Sequence, residues 1–268
     1  MANTVSKIID LPSLKKNYNI CPWNKQNIHA IYTYLEKPHW APWLSFSEKG
    51  MKDMSLVFPE GQLVVEDKKG LPLAYASVNR VRWDDTVDTL PTWDEIAGDQ
   101  VEQASYKNTY ISKGNTLVIM CLTVHSMHQG KYLSAILIDE IKILARKLKV
   151  KHIISPFRPS AYGLYKQKHN DPGFKEYCRM IREDGLPIDT WLRILIRNGM
   201  KPLVVRDNSL VVEVSKAKFK KFRSSYNQGC WKELSPNIWE CGEVGQWLIR
   251  GKKAVYKEPE LFGKIPFY

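Results

Sequence analysis

The order of apolar and polar positions sets out a succession of strands and helices. Asn115 to Val124, NTLVIMCLTV, is a nearly unbroken apolar run of strand length, the pattern of a central strand covered on both faces. A short polar loop, His125 to Lys131, follows it. Apolar residues then recur at Leu133, Leu137, Ile141, Leu144 and Leu148, which is a helical stripe. KHIISPF is the next apolar run, and with a helix crossing between the two it is expected to lie parallel to the first. Upstream, Gln62 to Glu66 and Leu73 to Val81 carry strand patterns joined by a Lys-Gly turn. A short strand (Lys7 to Asp10), a helix (Asn24 to Glu36) and an aromatic loop with Trp40 and Trp43 are expected before them. Asp84 to Asn115 is polar, with a helix inside TWDEIAGDQVEQA.

Downstream the pattern gives a helix over Ala161 to Lys166, a polar insertion (Lys168 to Ile188), and a helix over Thr190 to Arg197 that stops at Asn198-Gly199. SLVVEVS reads as a further strand. Tyr226 to Tyr268 alternates aromatic and polar residues like an antiparallel hairpin or meander. The expected architecture is mixed α/β, with one main domain over 1–223 and an aromatic-rich β extension over 224–268 packed on it.

Charge narrows the partners without choosing among them. The 40 Lys and Arg outnumber the 28 Asp and Glu, for a net +12, which attracts nucleic acid, an anionic membrane surface, a phosphorylated cofactor or an acidic peptide. The tightest basic cluster, KAKFKKFR at Lys216 to Arg223, reads as a solvated helix face. No nucleic-acid motif accompanies it, so nucleic acid is the weakest of these partners. The five cysteines show no CxxC pair, and reduced, mostly buried thiols in a cytoplasm are expected. No signal-peptide pattern and no apolar run of ~20 residues is seen, which points to a cytoplasmic chain without a membrane span. No metal site is expected.

The loop between the apolar strand and the striped helix carries the candidate chemistry. Backbone N–H groups at a helix start are unpaired and sit at the positive end of the helix dipole. Gly130 permits close backbone approach, Lys131 adds a cation and Ser134 offers a hydroxyl in the first turn, a combination suited to phosphate. The residues alone leave open whether the turn is a plain connection.

VHSMHQGKYLSAILI, Val124 to Ile138, resembles the acyl-CoA-binding motif of the GNAT superfamily of N-acyltransferases, Gln/Arg-x-x-Gly-x-Gly/Ala after an apolar strand. Gln129 matches the leading Gln/Arg, Gly130 a common glycine and Ser134 the Gly/Ala, while Tyr132 stands where the family has its core glycine. SAYGLYKQ, Ser160 to Gln167, resembles the family's Ala-x-x-Leu-Tyr segment through Ala161, Leu164 and Tyr165, with Arg158 where the family has an asparagine. DGLPIDTWLR, the Trp-rich tail and the Tyr256 to Pro259 element are similar to a subgroup of larger bacterial GNAT proteins.

The resemblance implies a mostly antiparallel sheet with a splayed parallel strand pair, flanked by helices. It also implies acetyl-CoA or a longer acyl-CoA as substrate and direct acyl transfer to an amine of a small molecule or peptide. It places Leu122, Thr123, Val124, Gln129, Gly130, Lys131, Tyr132, Leu133, Ser134 and Ser160 against the cofactor. The Val124 N–H is its candidate for polarising the thioester carbonyl. Tyr165 is implied as general acid, and His125 is the nearest candidate base by its intrinsic pKa. The insertion and tail motivate a bulky partner, a long acyl chain or an acidic peptide. A non-catalytic module that binds CoA or a peptide is the competing class. Asp189 and Arg193 are read as an i, i+4 pair bracing their helix.

Overall fold

The computed structural model describes residues 10–242 and 244–268. Its elements, in chain order, begin with α1 (Leu11–Lys15), β1 (Asn19–Pro22) and α2 (Ile28–Ile31), which runs through a π-helical turn (Tyr32–Glu36) into α3 (Lys37–His39). Next come α4 (Glu48–Val57), β2 (Gln62–Glu66), β3 (Pro72–Val81), α5 (Trp93–Ala97), β4 (Thr116–Val124), α6 (Leu133–Lys147), β5 (His152–Phe157), α7 (Tyr162–Lys168) and α8 (Phe174–Tyr177). The chain ends with α9 (Thr190–Arg197), β6 (Lys201–Ser215), α10 (Lys216–Ser225), β7 (Trp231–Ser235), β8 (Ile238–Cys241), β9 (Gly245–Arg250) and β10 (Lys253–Lys264).

One sheet holds all of these strands, in the order β1-β2-β3-β4-β5-β10-β9-β8-β7, with β6 also paired to β10. Neighbours run antiparallel except for β4 and β5, which are parallel as expected. Alternation along the central strands builds two cores. Leu117, Ile119 and Ile153 pack with α6 and α9 on one face, and Val118, Met120 and Ile154 pack with α2, α4 and α5 on the other. The stripe on α6 is buried at Leu133, Leu137, Ile141 and Leu144. Strands buried on both sides read as continuous apolar runs for this reason.

The tail is joined to the rest through β10, which pairs with β5 over Leu261–Lys264 and with β6 along most of its length. Its aromatics close on the N-terminal helices through Trp43, whose ring lies within 6.2 Å of Phe222, Tyr226, Trp231, Trp247 and Tyr256. Gly263 is the close-packed point of the β10 seam: a Cβ there would stand 2.2 Å from Met200 Sδ and 3.0 Å from a Phe157 ring carbon.

Several expectations are corrected. The first described strand is Asn19–Pro22, Asp10 instead caps α1 by accepting from Ser13 N, and the rest of the expected Lys7 to Asp10 strand lies outside the described residues. Helix α4 had no clear sequence signal, because only Gly50, Met51 and Met54 turn inward while Leu56 is 73% exposed. The strand expected at SLVVEVS begins eight residues earlier, at Lys201. The cysteines are not all reduced thiols: Cys230 and Cys241 form a disulfide, because the antiparallel β7–β8 hairpin, with Trp231 opposite Cys241, sets their Cα atoms 4.9 Å apart. Cys21, Cys121 and Cys178 are free. Asp189 and Arg193 do not pair. Asp189, wholly buried, accepts from Leu192 N at 3.0 Å and Ala161 N at 2.8 Å, while Arg193 donates to the Pro187 and Ile188 carbonyls.

Candidate functional site

The site begins where the parallel ladder stops. β4 and β5 pair only over Thr116↔His152, Leu117↔Ile153 and Val118↔Ile154. Beyond that, β5 pairs with β10 and β4 continues alone on that edge to Val124. A bulge at Met120, where Ile119 faces Val78 and Cys121 faces Ser77, turns β4 away at this level. His125 N–H donates to Leu73 O at 2.9 Å across the β3 edge. By the alternation of an antiparallel ladder, the N–H groups of Leu122 and Val124 then point the other way, into the splay.

The splay opens a groove of about 720 Å³. Leu122, Thr123 and Val124 form one wall, Gln129, Gly130, Tyr132, Leu133 and Ser134 the turn at the start of α6, and Ser160, Gly163, Trp191 and Ile194 the opposite wall. Gly130 (φ 76°) and Tyr132 (φ 62°) both adopt left-handed backbone, and nothing lies within 4 Å of where a Gly130 Cβ would stand. Tyr132 thus takes the conformation a glycine favours, at the family's core-glycine position, and keeps its side chain 49% exposed. Every residue expected against the cofactor lines this groove except Lys131. That side chain is exposed, with Nζ 3.4 Å from His128 Nδ1.

Neither expected catalytic side chain lines the groove. On α7 the groove side is taken by Gly163, and Tyr165, two positions on and about 200° around the helix, stacks on His169 at 4.4 Å and packs on Tyr177. His125 turns back to cap its own loop, its Nδ1 accepting from Met127 N at 3.3 Å. His128 does line the groove. Burial, then the charges of Lys131 and His125, hold its imidazole below its usual range.

At its inner end the groove meets a small chamber of about 80 Å³, with Trp40, Leu122, Arg158 and Trp191 shared by both cavities. Phe46, Trp93, Ile119 and Leu210 give the chamber apolar walls. Its charged-type side chains are Glu36, Glu258 and Glu260, each at most 6% exposed, and the Arg158 guanidinium, which pairs with Glu258 at 3.2 Å. Glu36 ends the π-helical turn. It accepts from Phe46 N at 2.5 Å and from the Tyr75 hydroxyl, yet burial still pushes its carboxyl up to about 7. Burial, and then the neighbouring Glu258, raise Glu260 well above the carboxylate range. Asp94, which donates no groove wall but accepts from Val211 N at 2.7 Å, is pushed by burial to about 6.

The sequence offered one usable sign of the chamber. Glu36 continues the buried stripe of Ile28, Ile31 and Leu35, so a charge was already visible on an apolar face. Among the described residues there is no group of three or more His, Cys, Asp or Glu placed to hold a metal, and no helix long and apolar enough to cross a membrane.

No protein-family model and no curated protein matches the sequence. Among solved structures, the chain is similar to the loading GNATL domain of CurA from Lyngbya majuscula. That alignment has a TM-score of 0.63 and 11% identity over 93% of this chain and 98% of that one. It is also similar to the GphF GNAT-like decarboxylase in complex with isobutyryl-CoA, with a TM-score of 0.57 and 12% identity over 89% of this chain and 98% of that one. The chain has the GNAT fold: a mostly antiparallel sheet with one splayed parallel pair, helices on both faces and C-terminal strands.

Proposed function

We propose that the protein is an acyl-CoA-dependent N-acyltransferase. One observation carries this reading: the groove joins the free edge of β4 to the start of α6. A pantetheine arm laid along Leu122 to Val124 would pair with their inward N–H and C=O groups like an added strand. The diphosphate would then reach the N–H groups at Tyr132 to Ser134, on the positive end of a helix of 15 residues.

This places the thioester at the throat between Trp40, Leu122, Arg158 and Trp191, with the acyl group directed to the chamber. The Val124 or Leu122 N–H is then set to polarise the carbonyl. The main rate gain comes from holding two substrates together in one cleft, so no covalent intermediate is needed. A chamber of about 80 Å³ suits a short acyl group. That favours acetyl-CoA over the long-chain acyl-CoA which the insertion and tail suggested from sequence.

Calorimetry with acetyl-CoA tests the binding, and thiol release on adding an amine tests the reaction. Binding without thiol release would favour the non-catalytic module. A second reading rests on Arg158. Its guanidinium stands at the throat, and one similar structure is of a protein described as a decarboxylase. A cation there would orient the carboxylate of a carboxyacyl-CoA for loss of carbon dioxide. Carbon dioxide release from malonyl-CoA, with no amine present, separates that reading from amide formation.

A further inference from the structure

Four side chains lie in line between the groove and the buried carboxyl of Glu36. Trp40 Nε1 donates to Thr123 Oγ1 at 3.0 Å, Thr123 Oγ1 lies 3.6 Å from Cys121 Sγ, and Cys121 Sγ lies 3.0 Å from the Tyr75 hydroxyl. The Tyr75 hydroxyl donates to Glu36 Oε2. Both ends fix the direction of every bond. An indole N–H only donates, so Thr123 accepts from Trp40 and gives its own proton to Cys121. At the far end Tyr75 gives its proton to Glu36 and so accepts from Cys121. All the donors therefore point one way, from the groove to the carboxyl.

We propose that Thr123, Cys121 and Tyr75 form a buried proton relay that delivers the proton shed by the acceptor amine to Glu36, the proton acceptor of this site. The inference rests on the N-acyltransferase reading above. In the step, the amine lone pair forms the N–C bond to the thioester carbonyl carbon. The nitrogen then gives a proton to Thr123 Oγ1 while Thr123 passes its own to Cys121 Sγ, Cys121 passes one to Tyr75, and Tyr75 passes one to Glu36. Collapse of the adduct breaks the C–S bond and releases the CoA thiolate. The products are an amide, a thiolate and a protonated Glu36, which returns its proton to solvent once they leave.

The surroundings agree with these roles. Burial holds the Tyr75 hydroxyl and the Cys121 thiol well above their ordinary pKa values, so both keep their own protons and act as conduits. Glu36, titrating near neutrality, is suited to take and release one. The titratable and charged groups facing it are Tyr75 from β3, Cys121 from β4 and Tyr106 from the segment between α5 and β4. Across the chamber stand Arg158 at the end of β5, and Glu258 and Glu260 from β10. Glu36 reaches the groove through Thr123 and is a positioning residue, so a pH profile rather than a simple loss of rate must report on it.

The test follows thiol release from acetyl-CoA above the enzyme-free rate with aniline or aminoacetonitrile, weakly basic amines that stay largely unprotonated over most of the range from about pH 5.5 to 9. In the wild type the rate is expected to fall about tenfold per unit below neutrality. Glu36→Gln is expected to lose that limb and about 100-fold in rate at neutral pH, with acetyl-CoA affinity unchanged by calorimetry. Cys121→Ser keeps a proton-carrying hydroxyl in the line and is expected to lose less rate than Cys121→Ala, which cuts the line and falls with Glu36→Gln. A limb that survives in a folded Glu36→Gln variant overturns the relay, as do equal losses in Cys121→Ser and Cys121→Ala. Both results leave the acyltransferase reading standing. A wild type that binds acetyl-CoA and releases thiol with neither amine overturns that reading and the relay with it.

Discussion

Replacing Glu36 by glutamine changes the dependence of stability on pH in a way that follows from burial alone. The carboxyl is 1% exposed and titrates at about 7, against 4.5 for an ordinary glutamate. Below 4.5 it is protonated in both the folded and unfolded chains. As pH rises from 4.5 to about 7, the unfolded chain releases this proton first, so wild-type stability falls. Above 7 both states are ionised and the contribution is constant. Each unit between the two values is worth about 1.4 kcal/mol, which makes the full loss roughly 3 kcal/mol. Glutamine cannot titrate. The stability of Glu36→Gln minus that of the wild type should therefore climb by roughly 3 kcal/mol between about pH 4 and pH 8. Urea unfolding of both proteins across that range measures it, and groups such as Asp94, present in both, cancel in the difference. A difference that is flat with pH would refute the reasoning, because it would mean that the carboxyl ionises as easily inside the fold as outside it.

Three further outcomes follow from particular contacts. Asp189→Ala strands the Ala161 and Leu192 N–H groups that its carboxylate accepts, and should cost about 3 kcal/mol in denaturant unfolding, with Asp189→Asn costing less. Reduction of the Cys230–Cys241 bridge, or Cys230→Ser, opens a loop of separation 11 and should lower stability by about 2–3 kcal/mol; an unchanged unfolding midpoint under reductant would contradict the pairing. Thermal shift should rise more with acetyl-CoA than with palmitoyl-CoA at equal concentration, because the chamber ends the groove at about 80 Å³. Equal shifts would mean that the acyl chain leaves by another route.

What the sequence made legible is local. The apolar run of β4, the stripe of α6 and the run of β5 are short-range patterns, and a helix between two strands is enough to set them parallel. The turn at the start of α6 was legible as a groove wall for the same reason, since Gln129 to Ser134 are contiguous and all but Lys131 line the groove. The chamber was not, because its polar groups come from far apart: Glu36 from a helix near one end, Arg158 from the end of β5, and Glu258 and Glu260 from β10, whose pairing with β5 no local pattern announces. Tyr165 and His125, neither of which lines the groove, show the complementary case. Each stands at a suitable point in the chain, but helix rotation and a local cap turn their rings elsewhere. A chain position alone does not specify which way a side chain points.

The chamber's charges lead to a last step. Three carboxyls and one guanidinium enclose a space of about 80 Å³, and a set of three ionised carboxylates there would repel strongly at low dielectric. Glu258 pairs with the Arg158 guanidinium, while burial pushes Glu260 and Glu36 toward their protonated forms. Glu36, at about 7, can gain or lose its proton near neutral pH. On the acyltransferase reading, the ionised carboxyl is the form able to take the acceptor's proton through the relay, and the protonated form is the one present when the amide has been made. On that reading, the same burial that lowers stability as pH rises from 4.5 to about 7 makes Glu36 a proton acceptor near neutrality.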